Sequence, residues 1–282
     1  MSPSLLGNRT DYHFPLFPKR RGPNIIRHLS PPVQMTSPEH LPHAPITEAI
    51  LDIACTLPAN VDHESLAGYQ SKLGGRYPGK QVRNQWKSVL EVSGSGPPIA
   101  KSDGGPIGYL FRTADTKQVV QARLNGFTFS RLQPYVSWDA LSAEARLLWD
   151  AFVAFAKPTN VTRIAVRYIN KMPLPLPISD FKEYVLTGVE IAPTLPQAVT
   201  EYFFRVAIPV QDPQAVAILT QTIDTSDAPK GTLPLILDID IFRQGSFPIT
   251  PAKLWPLFSP LHDLKNRFFF ESITDKTKEL FK

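Results

Sequence analysis

Residues 163–170 read Arg163-Ile164-Ala165-Val166-Arg167-Tyr168-Ile169-Asn170, and the alternation within them decides the fold class. Successive side chains of an extended strand point to opposite faces, so Ile164, Val166 and Tyr168 share one face and Arg163 and Arg167 the other. A strand with one apolar and one polar face belongs to an antiparallel sheet that carries its helices on one side. The same separation recurs in three other segments. It sets Leu237, Ile239 and Ile241 against Asp238 and Asp240, and Ala49, Leu51 and Ile53 against Glu48 and Asp52. It also sets Val120, Ala122 and Leu124 against Gln121, Arg123 and Asn125 in a long strand predicted over 119–132.

Working outward, Ile46 to Leu57 reads as a strand, and 62–73 as a helix with Leu66, Tyr69 and Leu73 at helical spacing, ended by Gly74-Gly75. Strands over 84–92, 108–113 and 119–132 follow, separated by Gly94-Ser95-Gly96-Pro97-Pro98 and by Ala114-Asp115-Thr116-Lys117; the second and third read as a hairpin. From Trp138 to Ala156, apolar residues three and four apart predict a helix with Ser137 as its N-cap. After Lys157-Pro158 the order starts again: a strand over 161–172, a short helix near 178–186, strands over 200–210, 215–224 and 233–243, and a helical region over 251–270. Both halves therefore read β-α-β-β-β-α. The expectation is an α+β fold of two diverged units, 42–158 and 159–282, forming one curved, mostly antiparallel sheet of about eight strands with helices on one face. This arrangement is similar to a duplicated helix-grip fold, an analogy that carries no function. Two independent small domains are the alternative.

The chain has 282 residues, 43% hydrophobic and 20% charged, enough to bury a full core. Its single cysteine, Cys55, excludes an internal disulfide framework, and no Cys/His cluster has the spacing of a zinc site. The first thirty residues hold no apolar run that would read as a secretory signal or a membrane span, so a reducing, cytoplasmic location is expected. Much of the net charge of +5 belongs to residues 1–40, where five basic side chains face two acidic ones. The remaining +2 makes no phosphate-binding field, which leaves nucleic-acid contact to the tail alone. Residues 1–41, rich in Pro, Ser and Arg, are expected to be a disordered or extended basic arm, with the apolar run Tyr12 to Phe17 suited to docking on a partner.

The polar face supplies the candidate ligand-binding residues: Arg163, Arg167, Asp238, Asp240, Glu48, Asp52 and Arg123. Cross-strand ion pairing is the plainer reading of these charges; a grip on a carboxylate or phosphate by Arg163 and Arg167 is the sharper one. A metal held by the four carboxylates is disfavoured, because the arginines beside them would neutralise the site. No nucleophile elbow, zinc-protease helix, P-loop or dinucleotide fingerprint occurs, and Ser102-Asp103-Gly104-Gly105 reads as a loop. His262 beside Asp263 is read as structural and solvent-facing, and Cys55 as a small core residue. No catalytic residue and no cofactor is predicted. Trp86, Tyr109, Phe111, Phe127, Phe129, Tyr135, Trp138 and Trp149 crowd the first half and read as core.

Three segments carry a family resemblance: Pro45-Ile46-Thr47-Glu48-Ala49, the run from Phe127 to Tyr135 leading into Trp138, and the Arg-x-x-x-Arg-Tyr-Ile-Asn strand. With the Leu237-Asp238-Ile239-Asp240 strand they resemble a sporadically distributed prokaryotic family of unknown function, over about residues 42–275. The resemblance implies a shared fold and polar face and names no reaction; a scattered distribution suits an accessory gene, such as one in a defence locus. From these readings the expectation is a non-catalytic binding protein. It would recognise a partner protein or an anionic small ligand through the polar face, while the exposed edges of an incompletely closed sheet suit pairing with a second copy or a partner strand. An enzyme on a phosphorylated or carboxylated substrate, with Asp238 or Asp240 as base, is the alternative.

Overall fold

The computed structural model describes residues 41–91, 99–188, 190–196, 199 and 201–282, with backbone alone for 87–91 and 99–103. Of the tail expected over 1–41, residues 1–40 lie outside the described residues, as does the Gly94 to Pro98 turn; Leu41 is described and corrects that boundary, since it is buried in the core rather than part of an arm. The described residues form a mixed α+β fold built on a single nine-stranded sheet with four α-helices. The strands are β1 (Ile46–Thr56), β2 (Gly79–Glu91), β3 (Ile99–Arg112), β4 (Gln118–Arg123), β5 (Gly126–Leu132), β6 (Asn160–Pro175), β7 (Phe203–Val210), β8 (Ala215–Ile223) and β9 (Thr232–Phe247). Their order across the sheet is β2-β3-β4-β5-β1-β6-β9-β8-β7. The helices are α1 (Trp138–Ala156), α2 (Pro251–Leu254), α3 (Ser259–Ser272) and α4 (Asp275–Glu279). None of the described helices is long and apolar enough to cross a membrane.

The ninth strand comes from a correction. The segment over 119–132 is two strands, β4 and β5, joined at Leu124 and Asn125 and paired antiparallel with Gln121 opposite Thr128. The two-residue connection leaves the alternation of apolar and polar residues intact on both sides, so periodicity alone reads through it. Asn125-Gly126 carries the missed signal, an Asn-Gly pair between two alternating runs. Gly126, at φ +152°, sits so close to β1 that a Cβ would fall 2.2 Å from the Ile53 carbonyl oxygen.

Other boundaries moved for local reasons. Residues 102–105 lie inside β3 and form no loop. The chain divides by contacts into Asn84–Pro106 and a larger unit comprising 41–83 and Ile107–Lys282. Within the smaller, Gly104 lets two strands approach closely, since a Cβ there would meet the Gln85 carbonyl and the Trp86 ring at 2.5 Å. The helix expected over 62–73 is a 3-10 helix over Ser65–Leu73 that buries the predicted Leu66, Tyr69 and Leu73 and ends at Gly74 in the left-handed conformation, φ 60°.

Helix α1 coincides with its predicted span. Ser137 caps it by accepting from the Ala140 amide, and Leu141, Ala145, Leu148, Trp149 and Phe152 turn inward. They meet Ala49, Leu51 and Ile53 of β1, Phe127 and Phe129 of β5 and Tyr69, whose hydroxyl donates to the Leu148 carbonyl at 2.6 Å. Leu254 of α2 and Leu261, Leu264 and Phe269 of α3 join the same core, with Ile164, Val166, Leu237, Ile239 and Ile241 of β6 and β9. Each fully buried Leu, Ile or Phe contributes about 1.5–3 kcal/mol by leaving water. Trp86 departs from the aromatic set expected in the core, being 69% exposed.

Candidate functional site

The face opposite this core carries the predicted charges, and sheet register brings them together. Antiparallel pairing of β1 with β5 and β6 sets Asp52 opposite Thr128 on one side and Ala165 on the other. Arg123 of β4 has Gly108 and Gly126 as its cross-strand neighbours. With no side chain on either flank, its guanidinium reaches across to Asp52, Nη2 to Oδ1 at 2.9 Å. Thr128 Oγ1 donates to the same oxygen at 2.6 Å, and Arg163 Nη1 donates to Oδ2 at 2.8 Å. Arg163 also donates from Nη2 to Asp240 Oδ2 at 3.0 Å, and its guanidinium lies 4.5 Å from the Phe242 ring centroid. A chain of alternating charge, Arg123, Asp52, Arg163 and Asp240, thus crosses the sheet from β4 to β9.

Arg167 and Asp238 form a second, two-pronged pair, Nε to Oδ1 at 2.8 Å and Nη2 to Oδ2 at 2.5 Å. Burial by itself would lower the Arg167 pKa, but the hydrogen bonds and charge of Asp238, aided by Asp240 and Glu48, raise it above its ordinary value. All seven predicted residues share this one face. Among the described residues no group of three or more His, Cys, Asp or Glu is placed to hold a metal ion.

The face is largely withdrawn from water. Asp52 is 2% exposed, and Gln121, Thr128 and Ser130 are also buried. Among the described residues, several polar atoms here have no hydrogen-bond partner: Gln121 Oε1, Ser130 Oγ, Arg123 Nε and Asp240 Oδ1. A buried polar atom without a partner costs on the order of 1–3 kcal/mol, so four on one face call for a reason. Gln121 and Ser130 were not among the predicted site residues. Gln121 stood in the alternation on the polar side, and the run Phe127-Thr128-Phe129-Ser130 puts Ser130 there by the same period of two; both were passed over because neither carries a charge. A shallow depression of about 520 Å³ elsewhere is lined by Gln70, Ser71, Tyr77 and Pro78 and by none of the predicted residues.

A second cluster, on the core side, was not anticipated. The Tyr168 hydroxyl meets that of Tyr135 at 2.9 Å, and the Lys265 ammonium sits 3.8 Å from the Tyr168 ring centroid. His262 stacks on Trp138 with ring centroids 4.4 Å apart. His262 is thus half-buried and faces Trp138, where a solvent-facing residue was expected. Burial, with the charge of Lys265, pushes its pKa down to about 3, and burial pushes Lys265 down to about 7. The i, i+4, i+8 series Leu261, Lys265 and Phe269 was the available sign that Lys265 faces inward. Cys55 is buried as expected, its thiol pushed up to about 12 by burial.

The chain matches no protein-family model and no curated protein. What it does must therefore be read from its own side chains.

Proposed function

We propose that this chain is a non-catalytic binding protein that uses the polar face of its sheet to recognise a polar group of a small ligand or a partner. The observation that carries this reading is the set of buried, unpartnered polar atoms inside an otherwise closed ion-pair network. A network that serves stability alone gains by satisfying every donor and acceptor; one that receives a ligand keeps some of them for it. The arginines favour this reading over a plain anion trap. Arg123, Arg163 and Arg167 already bond carboxylates. Against an enzyme with Asp238 as general base stands the fact that both its oxygens accept from Arg167.

We also read the chain as two diverged copies of one unit. On either side of the central β1–β6 pair the order runs β5-β4-β3 and β9-β8-β7, which supports an internal two-fold relation. The polar face then lies across the junction of the copies, where each contributes charges.

Native mass spectrometry of the full chain purified from its host tests the reading. A stoichiometric added mass supports it. A bare chain that also retains nothing from a host extract overturns it.

A further inference from the structure

The small net charge of the folded residues conceals a segregation. Residues 41–69 hold four acidic side chains and no Lys or Arg, residues 70–131 ten basic and three acidic, and residues 132–282 fifteen basic and sixteen acidic. The positive excess therefore belongs to one stretch, which supplies β2 to β5. A local concentration of one sign repels itself and attracts the other, whatever the total for the chain.

Sheet register gathers part of this excess at one end of the sheet. Lys80, Arg112, Lys117 and Arg131 each stand within two residues of the end of a strand, β2, β3, β4 and β5 in turn. A Cβ on Gly79 would lie 3.3 Å from that of Arg112, Arg112 pairs with Val119, and Gln118 pairs with Arg131, so the four lie side by side. Three strand spacings separate the first from the last, about 14 Å. Lys80 lies over the Tyr109 ring and Arg131 alternates with Phe129 towards the helices, while Arg112 alternates to the opposite face and Lys117 sits in the turn. The row thus wraps round the strand ends.

Among the described residues none of these four forms an ion pair, whereas Arg163, Arg167, Lys171, Lys182 and Lys276 each have a carboxylate. Arg131 Nε is buried without a hydrogen-bond partner. Glu144 is engaged by Arg76 at 2.6 Å. Asp115 accepts from the Thr113 hydroxyl at 2.6 Å and the Lys117 amide at 3.0 Å, and offsets one of the four charges. A linear polyanion suits what remains. At about 3.4 Å per phosphate, 14 Å of a nucleic-acid strand presents about four phosphates, one for each cation. Arg112 and Arg131 add planar forks that match phosphate oxygens. A surface that enters a bilayer sets exposed apolar side chains among its cations, but Tyr77 and Phe111 beside this row are buried.

We propose that the end of the sheet formed by β2 to β5 binds the phosphodiester backbone of a nucleic acid through Lys80, Arg112, Lys117 and Arg131. This surface is separate from the ion-pair network around Asp52, and neither reading depends on the other. Single strands and duplexes both present the backbone.

The test is the fluorescence anisotropy of a labelled oligothymidylate, and separately of a labelled DNA duplex, titrated with the full chain over a range of salt concentrations. Binding that weakens steeply with salt is expected. Lys80→Gln, Arg112→Gln and Lys117→Gln should each weaken the single strand about fivefold at about 0.1 M salt and lower the slope of log K against log salt by about 0.7; the triple variant should lose about a hundredfold. Lys182→Gln, whose cation is paired with Glu190, should change neither quantity. The basic residues of 1–40 are the same in every variant, so differences between variants report the sheet end. Thermal midpoints should stay at or above the parent's, because each substitution relieves like-charge repulsion. Absence of binding by the parent, a triple variant that keeps the parent's affinity and slope, or binding to vesicles of anionic lipid but to neither oligonucleotide would each overturn the assignment. Tighter binding of one oligonucleotide identifies the form recognised, and equal binding shows that the backbone alone is read.

Discussion

Arg163 and Asp52 are joined across β1 and β6 by a hydrogen bond of 2.8 Å although they are not register partners: Arg163 is opposite Ala54, and Asp52 is opposite Ala165. The guanidinium runs diagonally over the sheet, and its second nitrogen continues to Asp240 on the next strand. One side chain therefore ties three strands, and Asp52, held by Arg123 and Thr128 as well, is the point on which the network converges.

Asp52→Ala should be the most damaging single change on this face. It leaves Arg123, 94% buried by its 6% exposure, without its carboxylate, a loss on the order of 3–5 kcal/mol. Urea denaturation measures it. Pairing the change with Arg123→Met should recover a large part, because the second substitution removes the stranded charge; full additivity of the two would show that they do not interact.

Arg167→Lys keeps the charge and loses the two-pronged geometry with Asp238. With the Arg167 side chain 26% exposed, solvent softens the effect to about 1 kcal/mol. The same denaturation curves report it, and a loss as large as that of Asp52→Ala would contradict the ranking of the two pairs by burial.

Stability should rise with pH in two windows. His262, neutral when folded, has a pKa lowered from 6.5 to about 3, so below 6.5 the unfolded chain binds a proton that the folded one refuses. Folding free energy is then lost as pH falls from 6.5 towards 3, by at most about 1.4 kcal/mol per pH unit. Lys265, lowered from 10.5 to about 7, acts with the same sign between 10.5 and 7. The groups around them are Tyr168, Asn266, Asp263 and the Trp138 ring. His262→Phe should flatten the acid window and Lys265→Met the alkaline one, measured as urea midpoints against pH.

Gly126→Ala should cost several kcal/mol, of which about 1–3 is backbone strain at φ +152°. The remainder arises because a Cβ would lie 2.2 Å from the Ile53 carbonyl oxygen and 3.2 Å from Arg123 Nη2. Both the β1–β5 pairing and the placement of Arg123 should suffer, visible as a lowered thermal midpoint and as loss of hydrogen-exchange protection at residues 50–54.

Most of the strands were legible because alternation is a local property. β6, β8 and β9 and helix α1 fell where their periodicity put them, and the seven charged residues shared one face because a period of two allows nothing else. The limits of the same signal are visible at β4 and β5, where a two-residue turn preserves the pattern, and at residues 102–105, where Gly104, which reads as part of a loop, is needed for close strand approach.

What the sequence by itself determined was an α+β chain with a one-sided apolar sheet and a polar face bearing Glu48, Asp52, Arg123, Arg163, Arg167, Asp238 and Asp240. Only the tertiary structure decided which arginine meets which carboxylate, that Gln121 Oε1 and Ser130 Oγ are buried without a partner among the described residues, and that Lys265 lies over Tyr168. The physical reason is distance along the chain. Side-chain direction follows from neighbouring backbone geometry, but the bond from Arg123 to Asp52 spans 71 residues and exists only once sheet register has fixed both ends.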